Sequence, residues 1–576
     1  MSQELTKQVS HVRDGMPDAT LGRSQSNDLN DKEKGHHALP AAQRSTLRSI
    51  CLVMICTAAM VVNTSNSTSV SIALPTIGED IGIPEDQLQW LISAYSLTSG
   101  CFLLFFGRLA DLFGRKRAFT VGTLVQVAFS LGCGFAQNSI TLDILRGFQG
   151  MGAAAAIPSA LGILAHAFPP SRARSIAFAT FAAGAPVGGA FGTILGGVLT
   201  QLSNQHWRSG FYLSAGLSAL CCIGGLASFD ADVVSAEVDR RVDWIGAIFV
   251  TVGLVLIVFV LGQGEIAPLG WETGYIIALL IVGVLFVGLF LLWERYLENA
   301  LDDRTRAPSF WTPPPLMRLS LWARAKGRMA VILFIAFFNW SGFLTWNFWV
   351  QLYYQNYLHL TPLHTMVRFI PMFITGILCN FFVAMVVGKL PLVIFAATGT
   401  LFTASAGILF ALINPSATYW AFGFPSTVFS VFGADFVYSA GTIFIAKIAF
   451  PHEQSVAGAL FQTMTQLGTA FGLTISTIVF NNVVQQQSAA LGVTVAATAT
   501  NDAPAAAQLL GYRAAQWTSA SFSLFAALLA VLFLRGVGIV GHKKTKTEDS
   551  DSDQTALDLP PTRHDDPPPS ATTLHA

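Results

Sequence analysis

Long apolar runs broken by short polar or basic segments recur from about residue 49 to residue 540. Each run is close to the 20 residues that an α-helix needs to cross a bilayer. The period-2 alternation of a barrel strand is missing, so the predicted spans are helices. Fourteen are predicted, over residues 49–74, 88–106, 118–136, 141–168, 174–201, 210–230, 243–262, 272–294, 329–352, 364–387, 391–413, 417–447, 455–484 and 515–539. The twelfth is long and interrupted by glycines, which leaves the count open by one. The first is odd in another way: SICLVMICTAAMVV and VSIALP flank seven polar residues, Asn63 to Ser69 (NTSNSTS), and only by including them is the run long enough to span.

Composition supports the pattern. The 576-residue chain is 52% hydrophobic and only 11% charged, against about 25% charged for a soluble domain. A polytopic all-α membrane protein is the expectation, with the lipid bilayer as its solvent. Lys and Arg mark cytoplasmic loops, and they alternate: Arg115-Lys116-Arg117, Arg172 and Arg174, Arg240-Arg241, Arg304 to Arg328, Lys389, Lys447 and Lys543-Lys544. On the other side only Arg208 and Arg513 intervene. Both termini are therefore expected in the cytoplasm. The longest basic connection, 295–328, follows the eighth span. The predicted organisation is a disordered tail 1–48, six spans in 49–230, an added pair in 243–294, a linker 295–328, six spans in 329–540 and a disordered tail 541–576.

Other classes fit poorly. A net charge of zero gives no sign of a nucleic-acid partner. The seven cysteines all lie in apolar runs without metal-ligand spacing, so neither metal nor cofactor is expected. No GxxxxGK[ST] phosphate loop is present, which excludes ATP as direct energy source. His166 and His452 are isolated, so an enzyme is not expected.

Between spans two and three stands Gly107-Arg108-Leu109-Ala110-Asp111-Leu112-Phe113-Gly114-Arg115-Lys116-Arg117. It resembles the signature GxLaDrxGRkxx of the major facilitator superfamily. Gly107 and Gly114 permit a tight turn and close approach, and Asp111 is expected to pair with cations at neighbouring helix ends, with Arg115 and Lys116 completing a latch. Span four carries Arg146-Gly147-Phe148-Gln149-Gly150-Met151-Gly152, similar to the family's RxxQGxG element, which the resemblance links to proton transfer. An Arg in an apolar run costs at least ~2.5–3.5 kcal/mol and needs a partner or water; Asp143, three residues earlier, shares its helix face. Span five places Gly184, Gly188, Gly192 and Gly196 four apart, a smooth packing stripe. Gly188 to Gly197 resembles the antiporter motif GxxxGPxxGG, with Thr193 where proline is usual and Pro186 seven residues earlier. With Trp207-Arg208 and Asp243-Trp244, these elements resemble a fungal 14-span drug:proton antiporter over residues 49–540.

That resemblance implies a major facilitator fold: two six-helix halves plus two extra spans. Many relatives of this branch have an Asp seven residues before the ALP closing span one; here Asn66 stands there. The polar septet is then a cavity wall or helix–helix glue. Asp435 in span twelve is the one clear buried carboxylate, and burial makes its charged form costly. It is either a proton carrier with Arg146 or a structural Asp. Cavity candidates are Asn63, Asn66, Gln149, Asn339, Trp340, Gln462 and Gln466, whereas Trp349, Tyr353, Tyr354 and Tyr357 are read as an interfacial belt. The expected activity is proton-coupled export of a small organic compound by a monomer, most simply at the plasma membrane. The competing expectation is an importer or facilitator of a nutrient.

Overall fold

A computed structural model describes residues 45–84, 87–168, 172–232, 241–264, 267, 269–302, 309, 312–386, 389–449, 454–495 and 502–538. Residues 1–44 of the first predicted tail, all of the second, Arg240 and His452 lie outside the described residues, as does part of the 295–328 connection, whereas Thr46 to Arg48, predicted as tail, already belong to the first helix. Among the described residues, fourteen helices are long and apolar enough to cross a membrane. They are α1 (Thr46–Ile81), α2 (Trp90–Phe113), α3 (Arg115–Phe135), α4 (Ser139–Ala167), α5 (Arg172–Leu202), α6 (Arg208–Ser228) and α7 (Trp244–Gln263). There follow α8 (Gly274–Asp302), α9 (Arg328–Leu352), α10 (Pro362–Val386), α11 (Leu392–Ala411), α12 (Tyr419–Ile448), α13 (Gln454–Ala490) and α14 (Ala505–Phe533). The glycine-interrupted twelfth run is one continuous helix. A π turn, Tyr353–Tyr357, closes α9.

Helices α1–α6 pack on one another chiefly through α1–α5, α2–α4, α3–α4 and α3–α6. Helices α9–α14 do so through α9–α13, α9–α14, α11–α12 and α11–α14. The two bundles meet along two seams, α2 against α13 and α5 against α10. The pair α7–α8 leans on α2 and α13, and α8 exposes Ile277, Ile281, Val284, Leu285 and Leu292 along an apolar face suited to lipid.

Missing side chains set the closest packing. A Cβ on Gly188 would lie 2.8 Å from Val61 Cα, and one on Gly192 would lie 2.6 Å from the Ser65 carbonyl oxygen. The stripe on α5 is thus the bed of the polar septet of α1. The second bundle repeats the device, with Gly468 and Gly472 of α13 under Phe337 and Ser341 of α9. Between α3 and α4, Gly122 faces Gly152, and between α11 and α12, Gly399 faces Gly433. Backbones can approach this closely only where Cβ is absent.

At the end remote from the termini, neutral hydrogen bonds tie the bundles together. Ser71 Oγ donates to Gln351 Oε1 (2.9 Å), Gln355 Nε2 to the Ile72 carbonyl (3.0 Å) and the Leu363 amide to Gln201 Oε1 (3.2 Å).

Candidate functional site

The α2–α3 turn is built as a tight corner. Gly114 takes φ +116°, the left-handed region that favours glycine, and Asp232 fills the space that its side chain would need. The Asp232 carboxylate accepts from the amides of Lys116 (2.8 Å) and Arg117 (3.0 Å), capping α3 from beyond α6. Arg115 grips Asp111 through Nε and Nη2 (2.9 and 2.7 Å) and donates Nη1 to the Gly162 carbonyl of α4 (2.9 Å). Lys116 Nζ donates to the Leu226 and Phe229 carbonyls of the α6 end, and Gly107 lies against Pro158. These contacts of Asp111, Arg115 and Lys116 therefore lie within the first bundle. Asp232 was missed in the sequence; its only signal was a carboxylate just past the end of a span.

Arg146 is fully buried. Its guanidinium donates to the Leu91 carbonyl (2.8 Å) and to Gln149 Oε1 (2.6 Å), and lies 4.5 Å from the Tyr95 ring centroid. Gln149 passes the chain on to Ser130 Oγ of α3 (2.6 Å), while the Tyr95 hydroxyl donates to Asn63 Oδ1 of α1 (2.6 Å). A buried polar chain thus links α1, α2, α4 and α3. Gln149, expected on the cavity wall, belongs to this chain and is inaccessible. Asp143, expected to partner Arg146, makes no ion pair with it among the described residues, and its Oδ1 is buried without a hydrogen bond. Nε and Nη1 of the arginine's planar fork go to a carbonyl and an amide oxygen instead, the Tyr95 ring lies beside it, and Nη2 is buried without a hydrogen bond.

The septet faces three ways. Thr64 and Thr68 donate back to the carbonyls of Met60 and Thr64 (3.2 and 3.3 Å) on the α5 side, an arrangement that keeps a hydroxyl satisfied inside a helix. Asn63 faces Tyr95. Asn66 is 1% exposed and its amide has no hydrogen-bond partner in the geometry. Thr193, standing for the motif's proline, is buried. Gly196 lies against Ser69, and Gly197 faces Pro362 and Met366 of α10 across the seam.

In the second bundle Asn339 is fully buried against Gly433, and its amide also lacks a partner. Trp340 sits 5.8 Å from the Tyr438 ring, and the Tyr438 hydroxyl reaches Gln462 Oε1 at 3.4 Å. All three are half-buried, forming a wall of aromatic and amide surface. Gln466 packs instead at the α2–α13 seam, opposite Gly100. Asp435 points at the other seam: a Cβ on Gly376 of α10 would lie 3.3 Å from its Oδ2 and 3.6 Å from Pro186 of α5. Asn380, which donates to the Gly376 carbonyl (3.0 Å), stands beside it. Arg146 and Asp435 are not in contact; the first lies among α2, α3 and α4 and the second against α10.

The expected aromatic belt is corrected by the packing. Trp349, Tyr353 and Tyr354 are 1%, 0% and 2% exposed. They turn inward onto Phe480, Tyr512 and Phe410, where large rings fill the space between α9, α11, α13 and α14. Asp80 is a second carboxylate that sequence reasoning passed over: it accepts from Trp207 Nε1 (3.0 Å) and pairs with Arg208, closing α1 onto α6.

A two-bundle helical protein with neutral ties at one end and polar side chains buried at mid-span is built like a membrane transporter. The family model described as Major Facilitator Superfamily matches residues 55–243 and 231–473, and the chain belongs to that superfamily. It is 28% identical to "MFS-type transporter 1" of Pyricularia oryzae, over 86% of this chain and 85% of that one. It is 32% identical to the "Low affinity ammonium transporter" of Saccharomyces cerevisiae (70% and 76%) and 28% identical to "Efflux pump terJ" of Aspergillus terreus (74% and 80%). Among solved structures, the POT family transporter PepTSo superposes with a TM-score of 0.58 at 14% identity, covering 84% of this chain and 98% of that one, which speaks to the fold alone.

Proposed function

We propose that the protein is a proton-coupled exporter of small organic compounds, of drug or secondary-metabolite type, working by alternating access. The observations that carry this reading are the half-buried wall of Trp340, Tyr438 and Gln462, and Asp435, which stands three residues before Tyr438 on α12 and faces the α5–α10 seam. Aromatic faces and amides suit neutral or amphiphilic molecules. A carboxylate at the α5–α10 seam can take up or give up a proton as the seam rearranges. Each charge moved through 100 mV supplies ~2.3 kcal/mol, enough to bias the rocking of two bundles held by a few neutral hydrogen bonds.

Relatives named as an efflux pump and as the "Aminotriazole resistance protein" of Saccharomyces cerevisiae favour export. In this reading both termini are cytoplasmic, the chain acts as a monomer in the plasma membrane, and the Arg115–Asp111 corner is the latch that moves with the first bundle. A second reading, uptake or facilitated passage of a small nutrient, is favoured by the relative named as an ammonium transporter and by Asn66, which cannot titrate.

The test is accumulation of a panel of toxic and fluorescent compounds in pump-deficient yeast expressing the chain, beside Asp435→Asn. Export predicts lower accumulation, abolished by a protonophore and by the substitution. Higher accumulation, or indifference to both, moves the assignment to the second reading and makes Asp435 structural.

A further inference from the structure

At the end remote from the termini, a recess of about 270 Å³ opens among the π turn of α9, the start of α10, the start of α12 and the loop after α11. It lies on the second bundle, away from Asp435 and the Trp340 wall. Its walls include Tyr353, Tyr354, Arg368, Ala417 and Tyr419.

Its chemistry is one-sided. Arg368 supplies the sole charge among the lining residues, which include no Asp or Glu, and no carboxylate pairs with it among the described residues. The guanidinium lies 4.8 Å from the Tyr354 ring centroid and 5.4 Å from that of Tyr419. Tyr419 is itself pinned, donating its hydroxyl to the Arg368 carbonyl (2.7 Å). Just behind the wall, Arg513 donates to the Ile413 carbonyl (2.7 Å), adding a second positive charge. The hydroxyls of Tyr353 and Tyr354 are buried and have no hydrogen-bond partner. Two unused O–H donors and a guanidinium beside two aromatic rings match a planar anion. The recess is just below the ~300–1,000 Å³ range of drug-sized pockets, which suits a single ring. A π turn in one wall is a feature often found at functional positions.

We propose that this recess binds a small aromatic carboxylate, its carboxyl group on Arg368 and its ring among Tyr354, Tyr419 and the loop. The site is distinct from the one proposed for transport and does not depend on the direction of transport.

The experiment is calorimetric titration of the full chain in neutral phosphatidylcholine nanodiscs with benzoate, and with uncharged benzamide as control. Saturable benzoate binding is expected, with benzamide at least 10-fold weaker. Arg368→Gln should weaken benzoate at least 10-fold, as should Ala417→Trp, which fills the recess and leaves its charge intact. Asp435→Asn should leave it unchanged, which separates this site from the seam. Thermal unfolding of each variant checks that it is folded, and Ala417→Trp carries the test if Arg368→Gln is not. No saturable binding, equal binding of benzamide, or benzoate binding that survives Ala417→Trp would overturn the proposal. So would displacement of the site to Asp435, seen as loss of binding in Asp435→Asn.

Discussion

The two bundles share a frame and differ in what it holds. In each, a glycine pair presses one helix onto its neighbour: Gly122 on Gly152 in the first, Gly399 on Gly433 in the second. Six and three residues before Gly152 stand Arg146 and Gln149; six and three before Gly433 stand Thr427 and Ser430. The first bundle therefore buries a charge and links four helices through side chains. In the second, Thr427 and Ser430 donate to the carbonyls of Gly423 (2.7 Å) and Thr427 (2.8 Å), and Thr403 of α11 to that of Ser430 (3.0 Å). Hydroxyls that bond backbone only add local glue, whereas a side-chain chain has alternative partners and can switch. At these corresponding positions, therefore, the first bundle carries the side-chain chain that can switch and the second does not.

The sharpest way to break this comparison is to remove the charge. Arg146→Ala leaves Gln149 and the Leu91 carbonyl without their donor in a dry interior, where breaking a buried charged cluster costs roughly 3–5 kcal/mol. Transport should fall at least 100-fold, while Thr427→Val at the corresponding place on α12 should lose less than threefold. Both are read as initial rates per folded molecule in proteoliposomes. Equal losses would mean that the two interiors do the same job.

A smaller and symmetrical effect is expected from the frame itself. Gly192→Val drives methyl groups into the Ser65 backbone, and Gly472→Val does the same to Ser341. Overpacking of this kind costs about 1–3 kcal/mol or more. Both variants should unfold several degrees lower than the parent in detergent, by similar amounts. A large drop for one alone would show that the repeated glycines are not equivalent supports.

Much of this was readable from residues. Span number, the glycine stripe and the Gly114 corner follow from patterns local in the chain, where period and backbone freedom decide the outcome. The partners were not. Asp232 reaches Lys116 across 116 positions and Ser71 reaches Gln351 across 280, and no periodicity encodes such pairings. Gln149 and Arg146 were legible as polar residues in an apolar run, but which way each turns depends on Ser130 and Leu91 of other helices. The inward turn of Tyr353 and Tyr354 was misread for a related reason. Aromatic residues at a helix end suit a membrane interface and a packed interior equally, and only the neighbours decide.

The mildest test concerns the added pair, which neither bundle's repeat explains. Asp243 caps α7, accepting from the Gly246 amide and from Trp293 Nε1 of α8, both at 2.9 Å. Burial pushes its carboxyl above the ordinary range, opposed by those two hydrogen bonds, by one from the neighbouring Glu294 side chain and by the Ile245 amide. A raised value means the folded chain holds this proton more tightly than the unfolded chain. The stability it contributes is present below the ordinary carboxylate value, near 4, and is lost as pH rises through the raised one. Asp243→Asn retains an oxygen for both hydrogen bonds and cannot ionise. It should unfold with the parent at pH 4 and a degree or two above it at pH 7 to 8, followed by intrinsic tryptophan fluorescence. If the two curves stay parallel across that range, the charge at Asp243 is already compensated, and the added pair is as indifferent to pH as the Thr427 and Ser430 hydroxyls of α12.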